Sequence, residues 1–403
     1  MRRRSRSEKL PQVPLPAPPR KPLLRQSLYV GGLLGPFGAG VVSSMLPELA
    51  GTFGVSQAAA ATSLTAYLLP FAAVMLVSGT LGERWGPMRT IRFAYAGYVV
   101  VAAVAALAPW FWLFQVSRGL QGVANAFTTP LLLTKLASVT PKERLGRTLG
   151  LYGAVQALGQ TSAPLVGGLA AEGSWRWAFA GIAAVAAVLT ACPLPPDEES
   201  PQRRPRLRDA WRPVVVWSGL LIFVAWACLA GLPFLVAFRV DDAFALGPGA
   251  RGLVLTAFGF AGFATARLVG SAADRFGSRT AVCAGLLLGA VAVGAIGVVG
   301  SLPLVVVAWA AGGLCSQLIL VGVNALVLGG EANGRGGAIS VVTALRFLGM
   351  SASPAAFTGL YRHDAALGFL VPGALLAASA PLLAHRIFRT GTGPRARLRH
   401  SRG

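Results

Sequence analysis

The chain has 403 residues, of which 54% are hydrophobic and 12% are charged. That charged share is about half of what soluble domains carry, and the mean hydropathy is +0.63. Apolar runs of about 20 residues, each long enough to cross ~30 Å of hydrocarbon as a helix, recur along the chain. These features exclude a set of soluble domains and predict a multi-pass membrane protein.

The first segment, residues 1–26, is basic and rich in proline. It has no apolar run and no small-residue cleavage site of its own, which argues against a cleavable signal peptide. We therefore expect a disordered cytoplasmic tail that precedes the first span.

Twelve apolar spans are predicted after this tail. They cover residues 28–49, 60–81, 91–108, 111–136, 146–171, 175–194, 213–238, 250–273, 279–300, 302–328, 336–360 and 366–387. If both termini are cytoplasmic, 29 of the 36 Lys and Arg residues fall on the inner side, as the positive-inside rule requires. The net charge of +22 therefore indicates membrane orientation rather than nucleic-acid binding. We expect a location in the bacterial inner membrane.

Two segments are repeated along the chain. The turn "SGTLGERWGPMR" (78–89) resembles "VGSAADRFGSR" (269–279), and "ALGQTSAP" (157–164) resembles "FLGMSASP" (347–354), at offsets of 191 and 190 residues. This pattern predicts two six-helix bundles, 27–194 and 213–388, related by a pseudo-two-fold axis along the membrane normal. The polar segment 195–212 is the expected cytoplasmic linker, and 389–403 is a basic cytoplasmic tail.

The fourth predicted span contains a charged residue, Arg118, well inside the apolar run. A charge there costs roughly 2.5 kcal/mol or more and is by default a candidate functional residue. Gln121 and Asn125 lie on the same helical stripe. The alternative is a structural arginine that binds neighbouring carbonyl groups.

Several short motifs resemble those of the major facilitator superfamily. The turn "GTLGERWGPMR" resembles its pattern G-x-L-a-D-r-x-G-r-k, with Glu83 in place of Asp and with Pro87 and Met88 in place of the two basic residues. "RGLQGVANA" (118–126) resembles its fourth-span motif. "LGQTSAPLVGGLAAEGSWRWAF" (158–179) resembles the fifth-span antiporter motif, although Ala163 replaces a glycine. "LPELAGTFGVS" (46–56) resembles the end of the first span in twelve-span drug:proton antiporters. The resemblance implies the major facilitator fold, an all-α integral membrane protein of twelve transmembrane helices.

The resemblance also implies roles for particular residues. The charged turns are expected to form a conformational latch, composed of Gly79, Glu83, Arg84, Gly86, Arg89, Asp274, Arg275, Gly277 and Arg279. Arg118 and Glu48 are the candidates for proton coupling. Helix packing or gating is expected from Gly159, Ala163, Pro164, Gly167, Gly168 and Pro354.

Other residues are candidates to line a substrate cavity between the halves. They are Tyr67, Phe71, Asn125, Gln156, Gln160, Trp226, Gln317, Asn324 and Arg346. The polar members occur at helical spacings that place them on shared faces. For each of them, hydrogen bonding between helices or contact with lipid is an alternative to substrate contact.

The sequence predicts a secondary active transporter that moves a small organic molecule by alternating access, most simply by proton-coupled efflux. The alternative is a facilitator or symporter for an organic anion, because Arg118 and Arg346 lie in spans that contain no deep acidic residue. No catalytic or metal-binding arrangement is recognisable, so neither enzyme activity nor a metal or cofactor is expected. The proton gradient is the expected energy source, and the expected partners are the substrate, protons and the lipid bilayer, with the protein as a monomer that binds no nucleic acid.

Overall fold

The computed structural model describes residues 22–140, 145–192, 194, 213–328 and 335–390, and these residues are almost entirely helical and contain no β-strand. The predicted linker 195–212 and the terminal segments 1–21 and 391–403 lie outside the described residues. The first helix begins at Pro22, so residues 22–26, which the sequence assigned to the tail, belong to it. Proline is favoured in a first helical turn because it has no N–H to satisfy there.

The first half of the chain forms seven α-helices and a 3₁₀ turn in the described residues. These are α1 (Pro22–Gly40), the 3₁₀ turn Val41–Ser44, α2 (Leu46–Phe53), α3 (Gln57–Trp85), α4 (Pro87–Leu107), α5 (Phe111–Ser138), α6 (Leu145–Gly173) and α7 (Arg176–Ala191).

The second half has the same general arrangement. Its described elements are α8 (Pro213–Ala225), the π turn Trp226–Ala230, α9 (Pro233–Phe244), α10 (Pro248–Phe276), α11 (Ser278–Val298), α12 (Leu302–Leu328), α13 (Arg335–His363) and α14 (Leu367–Thr390). Each of the twelve predicted spans coincides with one of these helices or with a broken pair of them.

The first predicted span of each half is broken. The α1 segment and α2 meet at an angle of 69°, and Pro47 lies in the first turn of α2. In the second half the π turn separates α8 from α9, which begins at Pro233. Both prolines occupy helix starts, where their missing N–H costs nothing. The two halves therefore share a break at corresponding places.

Six helices in the described residues are long and apolar enough to cross a membrane, and the bent α1–α2 pair makes a seventh. The six are α3, α4, the α8–α9 pair, α10, α11 and α12. Helices α5, α6 and α13 are as long but carry the polar residues Arg118, Gln156 and Arg346. Large apolar side chains such as Leu107, Leu268 and Val291 are exposed, as expected for a surface that faces lipid rather than water.

Helices of each half pack mainly on one another, and two helix pairs make most of the contact between the halves. Within the first half α1 packs on α6 and α3 on α5, and within the second α11 packs on α12 and α14. Between the halves α6 packs on α10, and α3 packs on α13. We call the end of the molecule that contains Glu48 and Arg251 the Glu48 end, and the end that contains Gly86 and Gly277 the Gly86 end.

Candidate functional site

An ion-paired cluster joins the two halves at the Glu48 end. Arg251, in the first turn of α10, is buried, with 2% of its side chain exposed. Its guanidinium donates hydrogen bonds to Glu48 of α2 and, at 2.6 Å, to Asp241 of α9. The Arg251 Nε donates to the backbone carbonyl of Ser44 at 3.1 Å. One arginine of the second half thus binds the first half through Glu48 and Ser44, and its own half through Asp241.

Close backbone contact between α6 and α10 completes this closed end. A Cβ atom at Gly168 would overlap the carbonyl oxygen of Pro248, and one at Gly252 would overlap the carbonyl of Pro164. The carboxylate of Glu172 accepts a hydrogen bond from the Gly249 N–H at 2.9 Å. Small residues at these positions allow two helices to approach closely in a membrane protein.

The other face of α6 packs against α1 and the 3₁₀ turn. A Cβ atom at Gly159 would lie 2.6 Å from the Leu33 carbonyl oxygen, and one at Gly167 would overlap the Val41 carbonyl. Ala163 is fully buried and lies against Gly40. The structure therefore places the fifth-span motif on two contacts, one inside the first half and one between the halves. The other predicted packing residue, Pro354, lies inside α13.

Arg118 lies fully buried in the interior of the first half. Its Nη1 donates to the Gln121 side chain at 2.7 Å, and its Nη2 donates to the Gly38 carbonyl at 2.9 Å. Gly38 is in the last turn of α1, where carbonyl groups lack helical partners and a positive charge is favourable. The guanidinium also lies 4.5 Å from the Tyr67 ring centroid. This is the geometry of an arginine that binds neighbouring carbonyls.

Asn125 and Tyr67 belong to the same buried polar cluster. The Tyr67 hydroxyl donates to the Gly35 carbonyl at 2.9 Å, and a Cβ atom at Gly35 would overlap the Asn125 side chain. The Asn125 Oδ1 accepts a hydrogen bond from Thr128 at 3.2 Å. In this conformation the polar stripe of α5 is directed into the packing of α1 against α3 and α5.

Arg346 lies close to the contact between the halves, near the middle of α13. Its guanidinium carbon is 4.8 Å from the Phe347 ring centroid and 5.4 Å from that of Trp226. Phe347 in turn meets Phe71 of α3 edge-on at 4.7 Å. Three predicted cavity residues, Phe71, Trp226 and Arg346, are therefore brought to one place.

The remaining predicted cavity residues are dispersed over the helices that carry them. Gln156 and Gln160 on α6 and Gln317 and Asn324 on α12 are partly buried. Gln317 lies beside Gly262 of α10.

The predicted latch residues lie at the Gly86 end. Gly86 and Gly277 have φ values of +91° and +87°, which glycine adopts without the steric cost that Cβ imposes. Arg84 and Arg89 are exposed and border a cavity of about 630 Å³ whose lining comes from α3, α4 and α5. Arg275 and Arg279 are exposed as well, and Gly79 has no neighbour within 4 Å of its ideal Cβ position. The side chains of Glu83 and Asp274 lie outside the described residues, and the latch stays a prediction.

The sequence comparison decides the family. Residues 28–241, more than half of the chain, match the family model of the Major Facilitator Superfamily. The chain belongs to this superfamily. Superfamily members are transporters and not enzymes, and the protein is a multi-pass membrane protein of this fold.

Curated superfamily members from Mycobacterium tuberculosis align with about half of the chain or less. An uncharacterized MFS-type transporter is 29% identical over 211 residues, which cover 52% of this chain and 29% of the relative. The drug efflux pump JefA is 28% identical over 203 residues, which cover 50% of this chain and 39% of JefA. The aligned segment thus spans well under half the length of these relatives.

Solved structures of superfamily members share the fold along nearly the whole chain. A crystal structure of a bacterial homologue of the human lysosomal transporter Spinster aligns with a TM-score of 0.71 at 17% identity, covering 93% of this chain and 98% of that one. The crystal structure of a D-xylose–proton symporter aligns with a TM-score of 0.74 at 16% identity, covering 90% and 96%. At these identities the likeness establishes the major facilitator fold alone.

Sequence reasoning missed two members of the ion-paired cluster. It singled out neither Arg251, which lies in the first turn of α10, nor Asp241. The available signal was that Glu48, Asp241 and Arg251 all fall near span ends on the same predicted side of a chain that has few acidic residues.

Proposed function

We propose that the protein is a secondary active transporter that exports a small organic molecule by alternating access and couples export to inward proton movement. The Glu48–Arg251–Asp241 cluster carries this proposal. It joins the halves at one end through an ion pair that includes a protonatable carboxylate. Similarity to the drug efflux pump JefA supports export, and the positive-inside pattern supports an outward-facing Glu48 end.

The charges of the cluster suggest how a proton would open this end. With Glu48 ionised, Arg251 attracts a carboxylate on each half, and the halves are held together. Protonation of Glu48 removes the ionic attraction across the interface and leaves the weaker hydrogen bond from Arg251 to the Ser44 carbonyl. Asp241 still pairs with Arg251 inside the second half, so the halves separate without leaving a buried, unpaired arginine, which would be costly.

The surroundings of Glu48 allow this exchange. Its side chain is 25% exposed, so protons from the adjacent solution reach it, while its Oε2 atom is buried and has no hydrogen-bond partner. Two other acidic residues at this end are engaged elsewhere, because Glu172 accepts from Gly249 and Asp242 accepts from the Tyr361 hydroxyl. Glu48 is therefore the carboxylate of the first half whose charge bears directly on Arg251, while Asp241 pairs with this arginine from within the second half.

The test is transport in proteoliposomes with a panel of cationic, neutral and anionic aromatic compounds. We expect at least one compound to move from the cytoplasmic to the outer side of the protein. This movement should be faster when a proton gradient drives protons from the outer to the cytoplasmic side. Glu48→Gln should abolish the dependence on the proton gradient. Movement that ignores the gradient in the unaltered protein, or a gradient dependence that survives Glu48→Gln, would contradict the coupling. Absence of protein-dependent movement for every compound would contradict transport of this class.

A further inference from the structure

Arg346 is partly buried and, unlike the buried Arg118 and Arg251, has no anionic or hydrogen-bonding partner among the described residues. Arg118 is engaged by Gly38 and Gln121, and Arg251 by two carboxylates. For Arg346 the described contacts are the rings of Trp226 and Phe347. Its Nε atom is buried and donates no hydrogen bond there.

Arg346 lies deep in its span, where an arginine without an ionic partner is unusual. It is 11 residues from the first residue of α13, which is about 17 Å along a helix axis and so near the middle of the membrane. A charged group at that depth is costly unless something compensates for it. The described acidic side chains, Glu48, Glu172, Asp241, Asp242 and Asp364, lie near the Glu48 ends of their helices, far from this depth.

The π turn of the seventh span positions the Trp226 side chain beside this arginine. Trp226 is the first residue of the π turn in the seventh span, and Gly231 at the end of that turn packs against Ser353 of α13. An isolated π turn inserts a residue into a helix and is frequent at functional sites. Here it places a buried indole against the guanidinium.

The arginine also lies where the halves meet. The neighbouring Phe347 contacts Phe71 of the first half, and one turn further on the Ser351 carbonyl accepts a hydrogen bond from Thr65 at 2.6 Å. The 190-residue repeat relates Arg346 to Gln156 on α6, which is partly buried. The position therefore combines a positive charge, apolar rings and a boundary that alternating access would open and close.

We propose that Arg346 binds the carboxylate of a small aromatic organic anion, whose ring packs against Trp226, Phe347 and Phe71. The proposal rests on the transport function proposed above and specifies its substrate class. The guanidinium offers paired donors that match a carboxylate, and the bound anion compensates the charge for which the described residues provide no partner. Outward movement of such an anion is also favoured by an inside-negative potential.

The test is equilibrium binding to the full-length protein in detergent, which needs neither a gradient nor transport. Three probes share one aromatic body and differ in charge: 1-naphthoate, 1-naphthamide and 1-naphthylmethylamine. We expect naphthoate to bind at least about tenfold more tightly than the other two, the range of a charge-assisted hydrogen bond. Equal or tighter binding of the amine, or no saturable naphthoate binding, would overturn the proposal whatever the transport assay shows.

Variants locate the site. Arg346→Gln should remove the preference for naphthoate over naphthamide, and Arg346→Lys should retain part of it. Arg267→Gln is the matched control, because Arg267 is an exposed arginine on α10, and it should leave naphthoate binding unchanged. Phe347→Leu should weaken naphthoate and naphthamide alike. If Arg346→Gln is well folded by gel filtration and keeps the naphthoate preference, Arg346 is not the anion site. If it does not fold, Arg346→Lys and the three-probe comparison in the unaltered protein decide.

Discussion

Glu48 of the first half and Arg251 of the second half form an ion pair across the interface between the two halves. The arginine is 203 residues away in the chain and is held in its own half by Asp241. Because a single side chain binds both halves, the charge of Glu48 sets how strongly one end of the molecule is closed.

Acidification should open this end. Spin labels at Gly51→Cys and Ala250→Cys, both exposed and one in each half, would report the separation in a background without the four native cysteines. Between about pH 8 and about pH 4 the long-distance population should grow, because protonation of a glutamate carboxylate becomes appreciable only near the lower value and removes the charge that pairs with Arg251. Double electron–electron resonance measures both populations.

Two variants separate Glu48 from other acids. Glu48→Gln should show the long-distance population at both pH values. Glu172→Gln, which also neutralises an acid at this end but keeps an oxygen that can accept from Gly249, should retain the pH response. If the pH response persists in Glu48→Gln and disappears in Glu172→Gln, Glu172 and not Glu48 controls the opening of this end.

A larger side chain at the contact between α6 and α10 should prevent the Glu48 end from closing. At Gly168 a side chain would meet the backbone carbonyl of Pro248, which cannot move aside as a flexible side chain can. Gly168→Val should therefore hold the labelled positions apart and abolish transport while the protein remains folded. The control is Gly181→Val on α7, at an exposed glycine with no neighbour within 4 Å of its ideal Cβ position. It should leave the distance between the labels and the transport activity unchanged. Normal closure in Gly168→Val would show that the two helices are not packed as described.

Much of the fold follows from the sequence, because span length and hydropathy are local properties. All twelve predicted spans coincide with helical segments, and each of the paired charged turns contains a glycine with positive φ. The bend between α1 and α2 was not predicted, since apolar composition alone does not reveal it. Pro47 in "SSMLPEL" and Pro233 in "LAGLPFL" are signals for the two breaks, because proline favours a helix start over a helix interior.

The site was less predictable than the spans because it depends on contacts between distant segments. Glu48 and Arg346 were identified as candidates from their residue type and depth. The pairing of Glu48 with Arg251 depends on how two halves dock, which no local pattern encodes. For Arg118 the sequence left a functional and a structural role open. The hydrogen bond from Arg118 to the Gly38 carbonyl, which the sequence does not reveal, gives a physical basis for the structural role.

Arg118 should contribute strongly to stability. Arg118→Met would leave the Gly38 carbonyl and the Gln121 side chain without the hydrogen bonds described here, and each such buried loss costs about 1–3 kcal/mol. We expect a clearly lower unfolding temperature in detergent, while Arg267→Met on the exposed face of α10 should unfold as the unaltered protein does.

A second substitution, Arg118→Lys, which keeps the positive charge, tests the proton-coupling role that family resemblance predicts for Arg118. If Arg118→Lys is as stable as the unaltered protein but loses gradient-dependent transport, Arg118 acts in coupling. If stability and transport fall together in Arg118→Lys, its contacts with α1 account for its importance.

Two glycines of the charged turn should respond differently to substitution. Gly86 has a φ of +91°, a conformation that a Cβ atom destabilises by about 1–2 kcal/mol. Gly79 lies inside α3, with no neighbour within 4 Å of its ideal Cβ position, and alanine is favoured over glycine in a helix by about 1 kcal/mol. Gly86→Ala should therefore lower the unfolding temperature and Gly79→Ala should preserve or raise it. If Gly79→Ala keeps its stability but loses transport, Gly79 serves the predicted latch in another conformation; equal destabilisation by both variants would contradict the turn geometry.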